Sequence, residues 1–406
     1  MLGSLSPFKS LDREHRFALL TWGIVRVLTL GWAATASAIH PLTGIERNID
    51  LWPPDVPVGR WLYRALVAPW LRWDVEWYLR IVRRGYRSGD GTAQFHPLFP
   101  WLARLFTDLV RDPLLGLLLT GSLASLALIV MFGRLARLDL DDEGARTATL
   151  ALLTAPMTFV LFAPYSEALF LLLTVACFWF LRRRNWVAAG FMGALASLTR
   201  QQGILLLLPA LWELWEAHER DVRRGVRDWR AWGALLLIPA GLLLWLVYRA
   251  WMLGDLRPNT NSLHALIYSV LISPSATEVV SVQTFLWPWQ ALFLAVQQAF
   301  ETLDYLLFID LGLGLGFVLV FAGVWKHLRG SYRIYALSVV LISFAYHTGP
   351  VYPYMGLPRH LFLAFPVFVG LGAILRKPWQ WLALVGTGAL GMGLLSMLYF
   401  LKGWVP

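Results

Sequence analysis

The chain has 406 residues, 58% of them hydrophobic and 15% charged, where a soluble domain carries roughly 25% charged residues. That composition, with a mean hydropathy of +0.58, excludes a disordered chain, a coiled coil and a collagen and points to a helical membrane protein. The net charge of +10, with 31 arginines among 35 basic residues, suits cytoplasmic loops and phosphate-bearing lipids rather than nucleic acid, because no basic-aromatic soluble module accompanies it.

In chain order, apolar segments of about membrane-crossing length fall at 17–39, 113–133, 146–163, 165–181, 186–199, 203–216, 232–253, 305–325, 332–347, 360–375 and 380–401. They predict an all-α polytopic bundle of about eleven transmembrane helices. Ala36-Ser37-Ala38 resembles a signal cleavage site, but the apolar stretch before it is too long for a signal, so 17–39 reads as an uncleaved first helix. Asp141-Asp142 reads as the acidic start of a helix over 144–163. Cys177, the single cysteine, lies inside an apolar run and reads as a small core hydrophobe.

Basic residues cluster in every second short loop, at Arg134 and Arg137, Arg182–Arg184, Arg220–Arg230, Lys326–Arg333 and Arg376-Lys377. The N-terminus is therefore expected inside and the C-terminus outside. Two long segments, 40–112 and 254–304, fall on the external side of one undivided domain over 1–406. The first holds ten arginines, which long loops tolerate. Within it, 60–70 and 74–84 have helical apolar spacing, with Trp61, Leu62, Leu66, Trp70, Trp77, Tyr78 and Ile81 expected to lie on the membrane surface.

The densest chemistry is Arg72-Trp73-Asp74-Val75-Glu76-Trp77-Tyr78, followed by Phe95-His96-Pro97-Leu98-Phe99-Pro100. Asp74 is either the N-cap of a helix over 75–84 or a functional carboxylate. Arg200 and Arg359 each sit alone at an external helix end, either snorkelling to head groups or binding phosphate. Glu76, two residues beyond Asp74, would point elsewhere on a helix. Asp141-Asp142 is expected on the cytoplasmic side, and an acidic pair suited to a metal is missing from the external sequence, so neither a metal nor another cofactor is expected.

The string Arg-Trp-Asp-x-x-x-Tyr-Leu-x-Ile-x-x-x-Gly-Tyr, then Phe-x-Pro-Leu-Phe-Pro, resembles the first luminal loop of the PIG-V family, which adds the second mannose of GPI anchors. Tyr165-Ser166-Glu167-Ala168-Leu169-Phe170, Ala194–Gly203 around Thr199-Arg200-Gln201, Gly254-Asp255, Trp287-Pro288-Trp289 and Pro358-Arg359-His360 resemble further blocks of that family, in order along almost the whole chain. This chain departs from the pattern at His96, where the family commonly has an aromatic residue, at Leu256 after Gly254-Asp255, and at Glu76.

The resemblance implies a GT-C glycosyltransferase that moves a hexose, mannose in the family, from a polyprenyl-phosphate donor to an acceptor hydroxyl outside the cytoplasm. It implies Asp74 as the base. Arg72, Trp73, Tyr78, His96, Tyr165, Glu167, Arg200, Gln201, Asp255, Arg359 and His360 would then be substrate-binding residues, with His96 and His360 donating to phosphate or acceptor. The expected partners are the donor, a lipid or glycan acceptor and membrane lipids. The compact length suggests a prokaryotic plasma-membrane enzyme, with the ER membrane as the eukaryotic counterpart. The alternative is a transporter of lipids or lipid-linked oligosaccharides, which would need charged groups leading to both faces.

Overall fold

The computed structural model describes residues 6–39, 60–221, 227–254, 284–348 and 353–401. The chain runs through α1 (Ser6–Ile39), α2 (Arg60–Leu66), α3 (Asp74–Arg84), α4 (Leu98–Val110), α5 (Pro113–Ala136), α6 (Asp142–Thr154), α7 (Glu167–Arg182), α8 (Trp186–Thr199) and α9 (Leu207–Ala217). Then follow α10 (Trp229–Leu235), α11 (Leu237–Tyr248), α12 (Pro288–Thr302), α13 (Tyr305–Val324), α14 (Gly330–Ala345), α15 (Leu357–Phe362), α16 (Pro366–Ile374) and α17 (Pro378–Phe400). One short antiparallel pair joins β1 (Thr284–Phe285) to β2 (Tyr346–His347). The fold is thus an all-helical membrane bundle.

Among the described residues five segments are long and apolar enough to span a bilayer: Arg16–Ile39, Pro113–Ala136, Trp229–Leu253, Tyr305–His327 and Pro378–Phe400. They coincide with five of the expected spans. Trp186–Thr199 and Gly330–Ala345 are shorter apolar helices. Two expected spans are broken by proline. Ahead of Pro156, Ala155 turns extended (φ −57°, ψ 149°) and ends α6 at Thr154, because the ring disfavours helix in the preceding residue. The 360–375 segment is likewise split into α15 and α16, with Pro366 opening the second.

Helix starts follow local chemistry. Asp112 accepts from Leu115 N at 2.7 Å with Pro113 behind it, and Asp141 accepts from Gly144 N at 2.9 Å ahead of Asp142 and Glu143. Arg376 also pairs with Asp141, and its guanidinium together with the Gly144 amide lowers that carboxylate's pKa. Small residues set the helix spacing: a Cβ on Gly190 would lie 1.9 Å from the Ala234 carbonyl, and one on Gly241 2.3 Å from that of Ala194. Close backbone approach of this kind holds helices together where lipid supplies no hydrophobic drive. Cys177 is fully buried.

The amphipathic helices expected on the external side differ from expectation. α3 packs on α4 and α5, and Val75, Tyr78, Leu79, Ile81 and Val82 are buried there, as is Trp70 ahead of it. The apolar face of α3 therefore serves the protein core, not a membrane surface. Trp61 does face outward, and the exposed stripe of this region lies on α4, at Trp101, Leu105 and Leu109, one turn apart.

Candidate functional site

The site begins at a strained corner. Val75 N donates to the Arg72 carbonyl at 3.1 Å, and Trp73 between them has φ +53° and ψ −119°. Those angles are the first corner of a type II′ turn, a position suited to glycine. Holding a tryptophan there costs on the order of 1–3 kcal/mol. The turn makes Asp74 the first residue of α3, and its side chain caps nothing. Instead Arg359 Nη1 donates to Asp74 Oδ2 at 2.7 Å. The N-cap reading of Asp74 is thereby replaced by an ion pair between residues at opposite ends of the chain.

Glu167 is the second anchor. It opens α7 after the bend at Pro164-Tyr165-Ser166, so its carboxylate sits at the positive end of a helix. Arg200 Nη1 donates to Glu167 Oε1 at 2.6 Å, and Arg359 Nε lies 3.3 Å from the same oxygen. The Glu167 side chain is 1% exposed, against 13% for Arg200 and 9% for Arg359. Asp74 is the accessible member at 28%. Two arginines and two carboxylates thus form one continuous, charge-balanced chain, Asp74–Arg359–Glu167–Arg200.

Supporting contacts come from each neighbouring element. Arg200 Nη1 also donates to Ser166 Oγ at 3.1 Å, and Tyr78 Oη donates to the same oxygen at 2.9 Å. Burial raises the pKa of the Tyr78 phenol, with Arg200 opposing, so Tyr78 stays a neutral donor. The Arg359 guanidinium lies 5.1 Å from the centre of the Tyr165 ring. Arg200 itself sits at the break between α8 and the 3₁₀ turn Gln201–Leu206, in extended backbone (φ −153°, ψ 148°). Gly203 permits that break, since a Cβ there would lie 2.3 Å from Ser197 N. Three buried N–H donors at the site, Trp73 Nε1, Arg200 Nε and Arg359 Nε, have no hydrogen-bond partner among the described residues.

His96 lies beside this cluster. Its Nδ1 donates to the Ser197 carbonyl at 2.8 Å, and its ring centre is 6.1 Å from that of Trp245. Trp245 in turn meets Tyr86 at 4.8 Å and Tyr248 at 5.5 Å. Burial pushes the imidazole down to about 3, against the pull of the Ser197 carbonyl and helped by the charges of Arg249 and Arg200. His96 is therefore neutral at physiological pH.

The fold thus brings together Asp74, Tyr78, Tyr165, Glu167, Arg200 and Arg359, with Trp73 as the turn beneath them and His96 alongside. His360 follows Arg359 on α15, edge-on to Tyr346 at 5.7 Å. Gln201, next to Arg200, opens the 3₁₀ turn. Arg72 is turned away: its Nε and Nη2 donate to the Phe400 carbonyl at 3.1 and 2.9 Å, closing the end of α17. Asp255 lies outside the described residues. Ser166, Tyr346 and Tyr399 also belong to the neighbourhood; Ser166 stands inside one of the motif blocks, whereas no motif marks the two tyrosines. Among the described residues no group of three or more metal-ligating side chains converges.

Residues 17–212 match the family profile described as Mannosyltransferase (PIG-V). Similar curated proteins are the GPI alpha-1,6-mannosyltransferase 2 of Rattus norvegicus (35% identical; 48% of this chain, 42% of the relative), of Cricetulus griseus (37%; 48% and 42%) and of Homo sapiens (34%; 44% and 38%). The matched region thus spans about two fifths of those relatives' own length. Among solved structures, ArnT from Cupriavidus metallidurans is similar in its apo state (TM-score 0.46, 16% identity, 78% of this chain and 56% of that chain). ArnT bound to undecaprenyl phosphate gives a TM-score of 0.44 at 17% identity, over 75% of this chain and 53% of that chain. Residues 17–212, which carry Asp74, Glu167 and Arg200, are therefore similar to the PIG-V mannosyltransferase family.

Proposed function

We propose that the chain is a membrane glycosyltransferase of the GT-C type that transfers a hexose, mannose by its relatives, from a polyprenyl-phosphate donor to an acceptor hydroxyl on the non-cytoplasmic face. The observation that carries this reading is the Asp74–Arg359–Glu167–Arg200 chain. It sets one accessible carboxylate against two guanidinium groups.

Glycosyl transfer from a phosphate needs a base for the acceptor proton and positive charge for the departing phosphate. In the proposed step the acceptor oxygen bonds to the anomeric carbon while the bond from that carbon to the phosphate oxygen breaks. Asp74 takes the hydroxyl proton, and the polyprenyl phosphate leaves with the bonding electrons. Arg200 and Arg359 are the phosphate ligands, since a planar guanidinium matches phosphate oxygens in pairs. The buried N–H groups of Arg200 Nε and Trp73 Nε1, unspent on acceptors among the described residues, are suited to an anion. Glu167, too buried to be a substrate contact, keeps the two arginines side by side.

The test is Asp74→Asn, assayed with polyprenyl-phosphate mannose labelled in the sugar. The amide oxygen still accepts from Arg359, so folding and donor binding should persist while transfer falls on the order of 10²–10⁴-fold. A variant that transfers at the wild-type rate removes Asp74 as the base. Movement of the lipid across the bilayer by wild-type protein, without release of polyprenyl phosphate, would establish a transporter instead.

A further inference from the structure

We propose that His96 is a specificity-determining contact for carbohydrate, its Nε2 accepting a hydrogen bond from one hydroxyl of the sugar handled at this site. The inference rests on the glycosyltransferase reading and adds a named contact to it.

The argument starts from the tautomer. A carbonyl oxygen only accepts, so the 2.8 Å contact to Ser197 places the proton on Nδ1 and leaves Nε2 with a bare lone pair. Among the described residues Nε2 has no hydrogen bond. The imidazole stays neutral because burial and nearby arginines hold its titration far below physiological pH. An uncharged ring with one bare nitrogen has nothing to give a phosphate diester, which has no proton to donate either. This corrects the expectation that His96 donates to phosphate.

A ligand at Nε2 must bring its own N–H or O–H. Arg200 and Arg249 bear on this ring electrostatically and disfavour an ammonium donor. A neutral hydroxyl remains, and sugars present several. The aromatic cluster behind His96, Trp245 with Tyr86 and Tyr248, supplies an apolar wall of the kind that suits sugar C–H groups. Position agrees with this. Ser197, which anchors His96, is three residues from the phosphate arm Arg200 on the same end of α8, and the Gly203 contact fixes that end. A hydroxyl reader and a phosphate ligand are thereby held by one rigid element.

The two amide replacements separate the two ring nitrogens. His96→Asn places an N–H near Nδ1, keeping the Ser197 bond, with nothing at Nε2. His96→Gln reaches the Nε2 position with an acceptor oxygen. The assay compares kcat/KM for polyprenyl-phosphate mannose with that for its 2-, 3-, 4- and 6-deoxy forms. A second arm uses octyl α-mannoside and its monodeoxy forms as acceptors, which distinguishes a donor hydroxyl from an acceptor hydroxyl.

In wild type, one deoxy form should lose roughly 10- to 100-fold relative to its parent. In His96→Asn that one ratio should collapse to about one while the others stay, and His96→Gln should recover part of the discrimination. Identical ratios for wild type and His96→Asn in both arms overturn the His96 contact and leave the glycosyltransferase reading standing. A wild-type protein that turns over no donor overturns both.

Discussion

Replacing Glu167 with glutamine tests the charge chain at its centre. The amide is close to isosteric and its oxygen still accepts from Arg200, so the substitution removes one negative charge and little else. What remains is Asp74 alone against two guanidinium groups whose side chains are 13% and 9% exposed. Removing one partner of a buried ion pair costs about 3–5 kcal/mol, and the partial access of water to Arg200 favours the lower end. For a 406-residue chain this corresponds to a fall in the thermal midpoint on the order of 5 °C. An anion should do for the variant what the carboxylate did, so a saturating polyprenyl phosphate should raise the midpoint of Glu167→Gln more than that of wild type. The measurement is a thermal scan in detergent with and without the lipid phosphate, with Glu76→Gln, on the same helix as Asp74, as the control. If Glu167→Gln melts within about 1 °C of wild type, or both proteins gain equally from the ligand, the arginines do not depend on Glu167 and the charge-chain argument fails.

Two further outcomes follow from the same geometry. Arg72→Lys loses the fork that holds the Phe400 carbonyl, so it should lower the thermal midpoint and leave the affinity of the folded protein for polyprenyl phosphate unchanged; weakened lipid-phosphate binding at equal stability would return Arg72 to the substrate site. The folded-state pKa of His96, about 3, lies below the ordinary value near 6.5, so its contribution is fully present above about pH 6.5 and is lost as the pH falls toward 3. At pH 5 the loss is at most about 2 kcal/mol; His96→Asn should therefore narrow the stability gap between pH 7.5 and pH 5, and an unchanged gap refutes a half-buried neutral imidazole.

Five of the expected spans are legible because bilayer thickness imposes a length and a polarity that composition alone can satisfy. Internal breaks are less so: hydropathy makes 146–163 one run, and Pro156, whose backbone effect ends α6, is apolar enough to pass. The amphipathic face of α3 was visible but its partner was not, since burial against protein and burial in a head-group layer demand the same periodicity. At the site, Asp74, Glu167, Arg200 and Arg359 all stood in recognisable blocks, yet no spacing could show that Glu167 binds both arginines or that Arg72 serves α17. Such pairings depend on helix packing across hundreds of residues. His96 shows the limit most sharply, because its chemistry depends on which ring nitrogen meets Ser197.

The link between Arg359 and Asp74 also bears on biosynthesis. Asp74, Glu167 and Arg200 are all made long before Arg359. At about 5–20 residues per second, the roughly 160 intervening residues take on the order of ten to thirty seconds to translate. Throughout that window the nascent chain holds two carboxylates against a single guanidinium at a position that becomes largely enclosed. The Asp74–Glu167–Arg200 group therefore reaches charge balance only when Arg359 on α15 arrives.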